Sequence, residues 1–265
     1  DLKDRGAIAP GYRGDVVLLD DLKDFHVNRV FVEGALVAEE GKYLPEIKKC
    51  DISSVKGSVI VKDFSKEKFK MNLKSNKVNV IKILPGGVVT AKDTAEIELD
   101  ANGEFVRNPE VDLVKVAVVE RHQGTGNVAC GFLKGYGIKE GAVALSVAHD
   151  SHNIIVVGVN DEEMEFAVKS LIKQEGGIVL VKEGKVIESM PMPIAGLMSD
   201  QSGEWVDQKL TDIHEKAYEE LGICGDVEPV MTLCFMSLAV IPEIKLTDMG
   251  LFDVTTFSFI PVEAE

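Results

Sequence analysis

Short runs rich in valine and isoleucine, each closed by a glycine-containing turn, recur from residue 14 to residue 159, and helix-period patterns appear beyond them. That order restricts the fold more than any other feature of the sequence. Dominant strands followed by late helices predict an α+β chain, a small β-unit preceding a larger β-rich α+β domain. In the first unit, residues 14–44, "GDVVLLD", "NRVFVEG" and "ALVAEEGKYL" read as three strands, with Glu33-Gly34 as a tight hairpin turn. So short a set cannot bury its own face and is expected to belong to a sheet completed elsewhere.

A polar connector over 45–58 leads into the larger unit. There "KVNVIKIL", "GGVVTAKDTAEIELD" and "VDLVKVAVVER" have strand character, with turns at Pro85-Gly86-Gly87 and Ala101-Asn102-Gly103. A helix is predicted over about 162–175, capped by Asp161 and stopped by Gly176-Gly177. Its apolar residues Met164, Ala167, Val168, Leu171 and Ile172 share one face. A hairpin around Glu183-Gly184 follows, then a second amphipathic helix over about 203–221 that Gly222 ends. The tail "CFMSLAVIPEIKLTDMGLFDVTTFSF" combines an apolar segment with a last strand.

Composition narrows the function classes. Hydrophobic residues at 45% and charged residues at 28% are ordinary for a soluble globular protein. Apolar runs fall well short of the roughly 20 residues of a membrane helix. A net charge of −15 without a Lys/Arg cluster argues against a nucleic-acid partner. Cys50, Cys130, Cys224 and Cys234 form no CxxC pair and read as buried, reduced thiols of a cytoplasmic protein. The polar, methionine-free opening reads as a fragment or a processed product.

Three stretches carry candidate chemistry. His149-Asp150-Ser151-His152 places four polar groups in consecutive positions before an apolar run. It has several readings: a polar turn bonded to backbone, a loop facing an active site, or a metal or Ser-His-Asp site. The last two meet one objection, since neighbouring strand residues diverge and triad members normally come from separated segments. The second stretch, 118–143, is rich in glycine but matches neither phosphate-loop nor dinucleotide fingerprint. At its start Glu120, Arg121 and His122 end an apolar strand, where side chains reach a domain rim. Glu120 and Arg121 read as a rim ion pair, Glu120 and His122 as weaker site candidates. The third, "MPMPIAGLMSD" (190–200), is a stiff apolar loop suited to a pocket or a subunit contact, with Ser199-Asp200 as a possible helix cap. His26 and His214 are isolated and read as structural or surface residues.

Taken in order, "ERHQGTGNVACGFLKGYG", "AHDSHNIIVVG" and "MPMPIAGLMSD" resemble the C-terminal part of the bacterial adenine deaminase family. The opening 44 residues are similar to the segment with which amidohydrolase-superfamily chains return from the barrel to a small β-sandwich. The resemblance is strong at 1–44 and 115–200 and diffuse at 45–110. It implies a closing sandwich segment over 1–50 and a C-terminal domain over 51–265. It also implies a homo-oligomeric cytoplasmic enzyme of purine salvage, hydrolysing adenine to hypoxanthine and ammonia at a binuclear manganese or iron centre in a barrel. A divalent cation lowers the pKa of bound water towards neutrality, which supplies the nucleophile. The barrel's His-x-His motif does not occur here. The resemblance therefore implies a portion inactive alone, with no metal ligand or cofactor site of its own, in which the 149–152 loop faces the barrel mouth.

Overall fold

The computed structural model describes residues 2–86 and 88–264, and the chain divides into two compact units, Asp1–Asp51 and Ile52–Glu265. In the first, β1 (Val16–Leu19), β2 (Val27–Val32), β3 (Ala35–Glu39) and β4 (Lys42–Tyr43) pair antiparallel in chain order. Glu33 and Gly34 take φ of 54° and 79°, the left-handed pair that a tight hairpin turn demands. The expected single strand "ALVAEEGKYL" is two strands. Glu40 and Gly41 also adopt positive φ, and this second turn folds β4 back on β3. Val17, Leu18 and Tyr43 stay exposed, as a sheet of this size dictates.

The second unit is built on one eight-stranded sheet. Its strands are β5 (Lys77–Ile83), β6 (Thr90–Glu96), β9 (Leu113–Val119), β10 (Val128–Lys134), β11 (Ala142–Leu145), β12 (Ile154–Gly158), β13 (Gly177–Lys182) and β14 (Lys185–Pro191). Between β6 and β9 lies a small hairpin, β7 (Glu98–Leu99) and β8 (Phe105–Val106). The spatial order is β14-β13-β11-β12-β9-β10-β5-β6, antiparallel at each junction except β10–β5. The glycine-rich stretch 118–143 is thus no phosphate loop; much of it forms β10 and the start of β11.

Every residue of β9, "LVKVAVV", is buried, because the sheet is covered on both faces. Strand periodicity sorts the side chains. Val114, Val116 and Val118 join Val143, Leu145, Ile155 and Val157 in one core, whereas Ala117 and Val119 join Ala144, Ile154 and Val156 in the other. Helix α1 (Asp161–Lys173) covers the second face with Met164, Ala167, Val168 and Leu171. The first is covered by α2 (Gly203–Glu219), α3 (Met231–Cys234) and a three-stranded sheet of β15 (Ile244–Thr247), β16 (Gly250–Asp253) and β17 (Ser258–Ile260). Each fully buried Val, Leu or Met contributes about 1.5–3 kcal/mol.

Lys115 breaks the apolar rule of β9. Its Nζ donates to the Phe69 carbonyl (3.0 Å) and to Asp161 Oδ1 (2.7 Å), so the buried cation is paired with a carboxylate. This pairing corrects the expected cap of α1. With Asp161 committed to Lys115, Asn160 takes the cap position and accepts from Glu163 N at 2.8 Å. Helix α2 is likewise capped by Ser202, which accepts from Trp205 N, rather than at Ser199-Asp200. The turn expected at Pro85-Gly86-Gly87 keeps Gly86 at φ 76°, and Gly87 lies outside the described residues. Cys50 and Cys224 are exposed, contrary to expectation, while Cys234 is buried. Among the described residues no helix is long and apolar enough to cross a membrane.

Replacing Asn160 by Ala is expected to cost about 1 kcal/mol, the usual value of a lost cap. Lys115→Met, which strands Asp161 and the Phe69 carbonyl, is expected to cost about 3 kcal/mol. Urea denaturation checks both. A negligible cost for Asn160→Ala would mean that Asn160 does not cap the helix.

Candidate functional site

Register brings the three singled-out stretches to one end of the large sheet. Val119 pairs with Ile154, Leu145 with Ile178, and Gly177 with Pro191. The loop after β9 (120–127), the β11–β12 connection (146–153) and the segment after β14 (192–198) therefore emerge together. What joins them is Arg121, a fully buried side chain at 1% exposure. Its Nε donates to the His152 carbonyl at 2.5 Å, and Nη1 and Nη2 donate to the Ala195 carbonyl at 3.2 Å. Its own backbone N–H reaches Asn153 Oδ1. One guanidinium thus spans all three stretches.

Glycine permits this approach. Gly196 sits at φ 71°, and a Cβ there would lie 2.7 Å from Arg121 Nη1. Beneath it, Ser146 Oγ donates to the Gly196 carbonyl at 2.5 Å and accepts from Gly177 N at 2.7 Å.

The rim ion pair expected between Glu120 and Arg121 is not what the carboxylate serves. Glu120 Oε1 accepts from His122 N (2.5 Å) and Gln123 N (2.7 Å), and Oε2 from Thr125 N (2.9 Å) and Thr125 Oγ1 (3.1 Å). Burial pushes this carboxyl up, but the four hydrogen bonds outweigh it and hold the pKa down to about 2. Glu120 is the organiser of the 122–125 turn. For Arg121, burial lowers the guanidinium pKa and the Glu120 charge opposes the shift.

His149-Asp150-Ser151-His152 forms the tip of the β11–β12 connection. His149 N donates to the Cys234 carbonyl (2.8 Å), its own carbonyl accepts from Ser237 Oγ (3.1 Å), and its ring lies 4.9 Å from that of Phe235. His152 N donates to the Ala148 carbonyl at 2.6 Å, with His152 at φ 52°. His122 Nε2 donates to the Ser151 carbonyl at 2.7 Å, so His122 joins the cluster from the neighbouring loop. Asp150 and Ser151 point to solvent. The backbone of this tip is held as a polar turn would require, while its side chains remain available.

The cluster has no catalytic triad geometry. Ser151 Oγ accepts from Asn153 N at 3.4 Å, and His122 meets the serine's carbonyl, not its hydroxyl. His149 Nδ1 lies 3.8 Å from Asp150 Oδ1, and the His149 and His152 rings are 5.7 Å apart. Among the described residues, no three His, Cys, Asp or Glu side chains converge as ligands of one metal ion. These residues do not fit a two-metal centre. Burial, then the nearby His149 and Arg121, hold the His152 pKa below the usual histidine range, and its Nδ1 is buried without a partner. The cluster therefore offers a His152 imidazole biased towards its neutral form, with further hydrogen-bonding groups suited to binding and shaping.

Four contributors were not legible in the sequence. Asn153 and Asn127 both donate to Asp248, which ties the cluster to the β15–β16 turn, and Ser237 supports His149. Arg121 was legible only as half of a rim ion pair at the end of a mostly apolar strand. His26 and His214 lie elsewhere, each against an acid, Asp20 and Glu228.

Glu120 sets an acid limb of stability. A depressed carboxyl stabilises above its unfolded value near 4.5 and loses that stabilisation as pH falls through about 2. Glu120→Gln is expected to cost about 3 kcal/mol at pH 7 and almost nothing near pH 2, from the linkage of about 1.36 kcal/mol per pKa unit. Urea denaturation of both proteins across pH checks this. A cost independent of pH would contradict the assignment.

The chain is 66% identical over 263 residues to "Adenine deaminase 2" of Desulfotalea psychrophila, covering 99% of this chain and 46% of that protein. It is 47% identical over 264 residues to "Adenine deaminase" of Ligilactobacillus salivarius, covering 100% of this chain and 46% of that protein. "Adenine deaminase 2" of Carboxydothermus hydrogenoformans is 46% identical over 261 residues, or 98% of this chain and 45% of that protein. The chain thus spans a little under half the length of these curated relatives. Residues 87–258, most of the second unit, match the family described as "Adenine deaminase C-terminal domain", and the chain belongs to that family.

Proposed function

We propose that this chain is the C-terminal portion of an adenine deaminase, a hydrolase that converts adenine and water to hypoxanthine and ammonia in cytoplasmic purine salvage. The observation that carries this reading is the 66% identity across 99% of the chain to a protein of that name. In this reading a binuclear manganese or iron centre belongs to the part of the enzyme beyond these residues. Such a centre supplies an activated water when bound. This chain's own contribution is then binding and enclosure.

The loop His149–His152, with His122 beside it, faces the purine site of its own or a neighbouring subunit. Its backbone is fixed by Arg121, Cys234 and Ser237, so its imidazoles are presented on a rigid support rather than on a free loop. Imidazole and hydroxyl groups suit the ring nitrogens of a neutral base, and a closed loop excludes bulk water. The exposed apolar residues Met198 and Val240, in the loops 190–198 and 235–241, suit a contact between copies in a homo-oligomer.

Two measurements test the reading. This chain supplied with manganese or ferrous iron is expected to release no ammonia from adenine; robust release would mean that the chemistry resides here after all. In the complete enzyme, His149→Ala combined with His152→Ala is expected to lower kcat/KM by about tenfold or more, with the melting temperature retained. Unchanged kinetics with reduced stability would make the loop structural.

A further inference from the structure

The three-stranded sheet has a second face that the core does not use. Leu251 and Ile260, paired across β16 and β17, pack into the first core. Strand alternation then turns Phe252 and its partner Phe259 outward. The Phe252 ring meets those of Phe257 and Phe259 edge to face, each at 5.2 Å. Yet Phe257 is 75% exposed and Phe259 52%. Gly250 continues the stripe. A Cβ there would lie 3.5 Å from the Phe259 ring, and the preceding residue, Met249, is 72% exposed. Four large apolar side chains thus form one connected stripe rather than scattered surface residues, the pattern that marks an interaction site.

The stripe is also free of charge. Residues 254–262, "VTTFSFIPV", contain no ionisable side chain in a chain of net charge −15. The neighbouring acids are engaged, Asp248 by Asn127 and Asn153, and Asp253 by Lys92 and Thr255. Lys245, opposite Phe252 on β15, is itself buried and donates to the Val88 carbonyl. Covering the rings therefore strips no free charge of its water.

Two observations identify what covers them. This chain accounts for 46% of each of its two relatives from Desulfotalea psychrophila and Ligilactobacillus salivarius, so more than half of such a protein lies beyond the matched stretch. The stripe also begins at the three-loop cluster, because Met249 follows Asp248, which Asn127 and Asn153 tie to two of those loops. A body that closes over the loops meets Met249 first and the rings next.

We propose that the stripe of Met249, Phe259, Phe252 and Phe257 is the docking surface for the catalytic portion of the complete enzyme, the part beyond these residues that carries the purine site. The proposal rests on the reading of this chain as the C-terminal portion of an adenine deaminase. It adds the face by which the domain is held there. The rings anchor the small sheet, and the sheet, through Asp248, holds the cluster against the purine site.

The test is the rate of maleimide labelling at single introduced cysteines, in a background of Cys50→Ser and Cys224→Ser that removes the exposed native thiols. Met249→Cys and Thr256→Cys probe the stripe and leave its three rings in place. Val186→Cys, at an exposed position of β14, is the control. Each variant is made in this chain and in the complete enzyme, and labelling is read at each site by peptide mass. At both stripe positions the rate is expected to fall about tenfold or more in the complete enzyme, with Val186→Cys unchanged. Slowing short of tenfold at either position overturns the proposal, as does equal slowing at all three. Protection already present in this chain and lost on dilution also overturns it, since a second copy would then be the occupant. Circular dichroism establishes that the variants fold; if Met249→Cys does not, Thr256→Cys decides. Ammonia release from adenine by the complete enzyme tests the underlying reading separately, so an active enzyme with an unprotected stripe rejects the docking alone.

Discussion

The buried guanidinium of Arg121 is the interaction on which the functional end of this domain depends. Fully removed from water, it is compensated by two main-chain carbonyls, His152 and Ala195, from segments that are distant in sequence. Charge-assisted hydrogen bonds to backbone fix loops more firmly than side-chain pairs do, because the backbone itself is held. Without that cation, the Ala195 and His152 carbonyls lose their donors and the Gly196 approach loses its reason. The same residue's backbone, through Asn153, couples this junction to Asp248 and the small C-terminal sheet.

The sheet beneath makes that junction possible. A strand buried on both faces leaves no freedom at its end, so the side chain following Val119 enters the structure at a determined place. Glu120 and Arg121 divide the work of that strand end. The carboxylate gathers the backbone of the 122–125 turn on one side, and the guanidinium gathers two other loops on the opposite side. Imidazoles from His122, His149 and His152 then surround a supported surface. Support of this kind is what a binding loop needs to discriminate between ligands.

Much of the architecture was legible in the sequence, because it is written in local periodicity. The stripe Met164, Ala167, Val168, Leu171 specifies α1, and Glu33-Gly34 and Glu183-Gly184 specify hairpins. What was not legible is non-local. Asp161 looks like a cap until Lys115, 46 positions away, claims it and passes the cap to Asn160. Glu120-Arg121 looks like an ion pair until the fold supplies each with backbone partners. Strands β10 and β11 were hidden because the glycines of 118–143, such as Gly131, interrupt the apolar pattern that marks a strand. The candidate site was legible as three stretches, and the link between them was not, since a carbonyl acceptor leaves no trace in side-chain sequence.

The central claim, that Arg121 and the Gly196 segment form one interlocked unit, is tested most directly by a double-mutant cycle. Gly196→Ala is expected to cost about 3 kcal/mol with Arg121 present, from the left-handed strain together with the clash against the guanidinium. In an Arg121→Met background the same substitution is expected to cost about 1 kcal/mol, leaving an interaction energy of about 2 kcal/mol. Costs that simply add would contradict the account, since they would show that the two sites stabilise the domain independently.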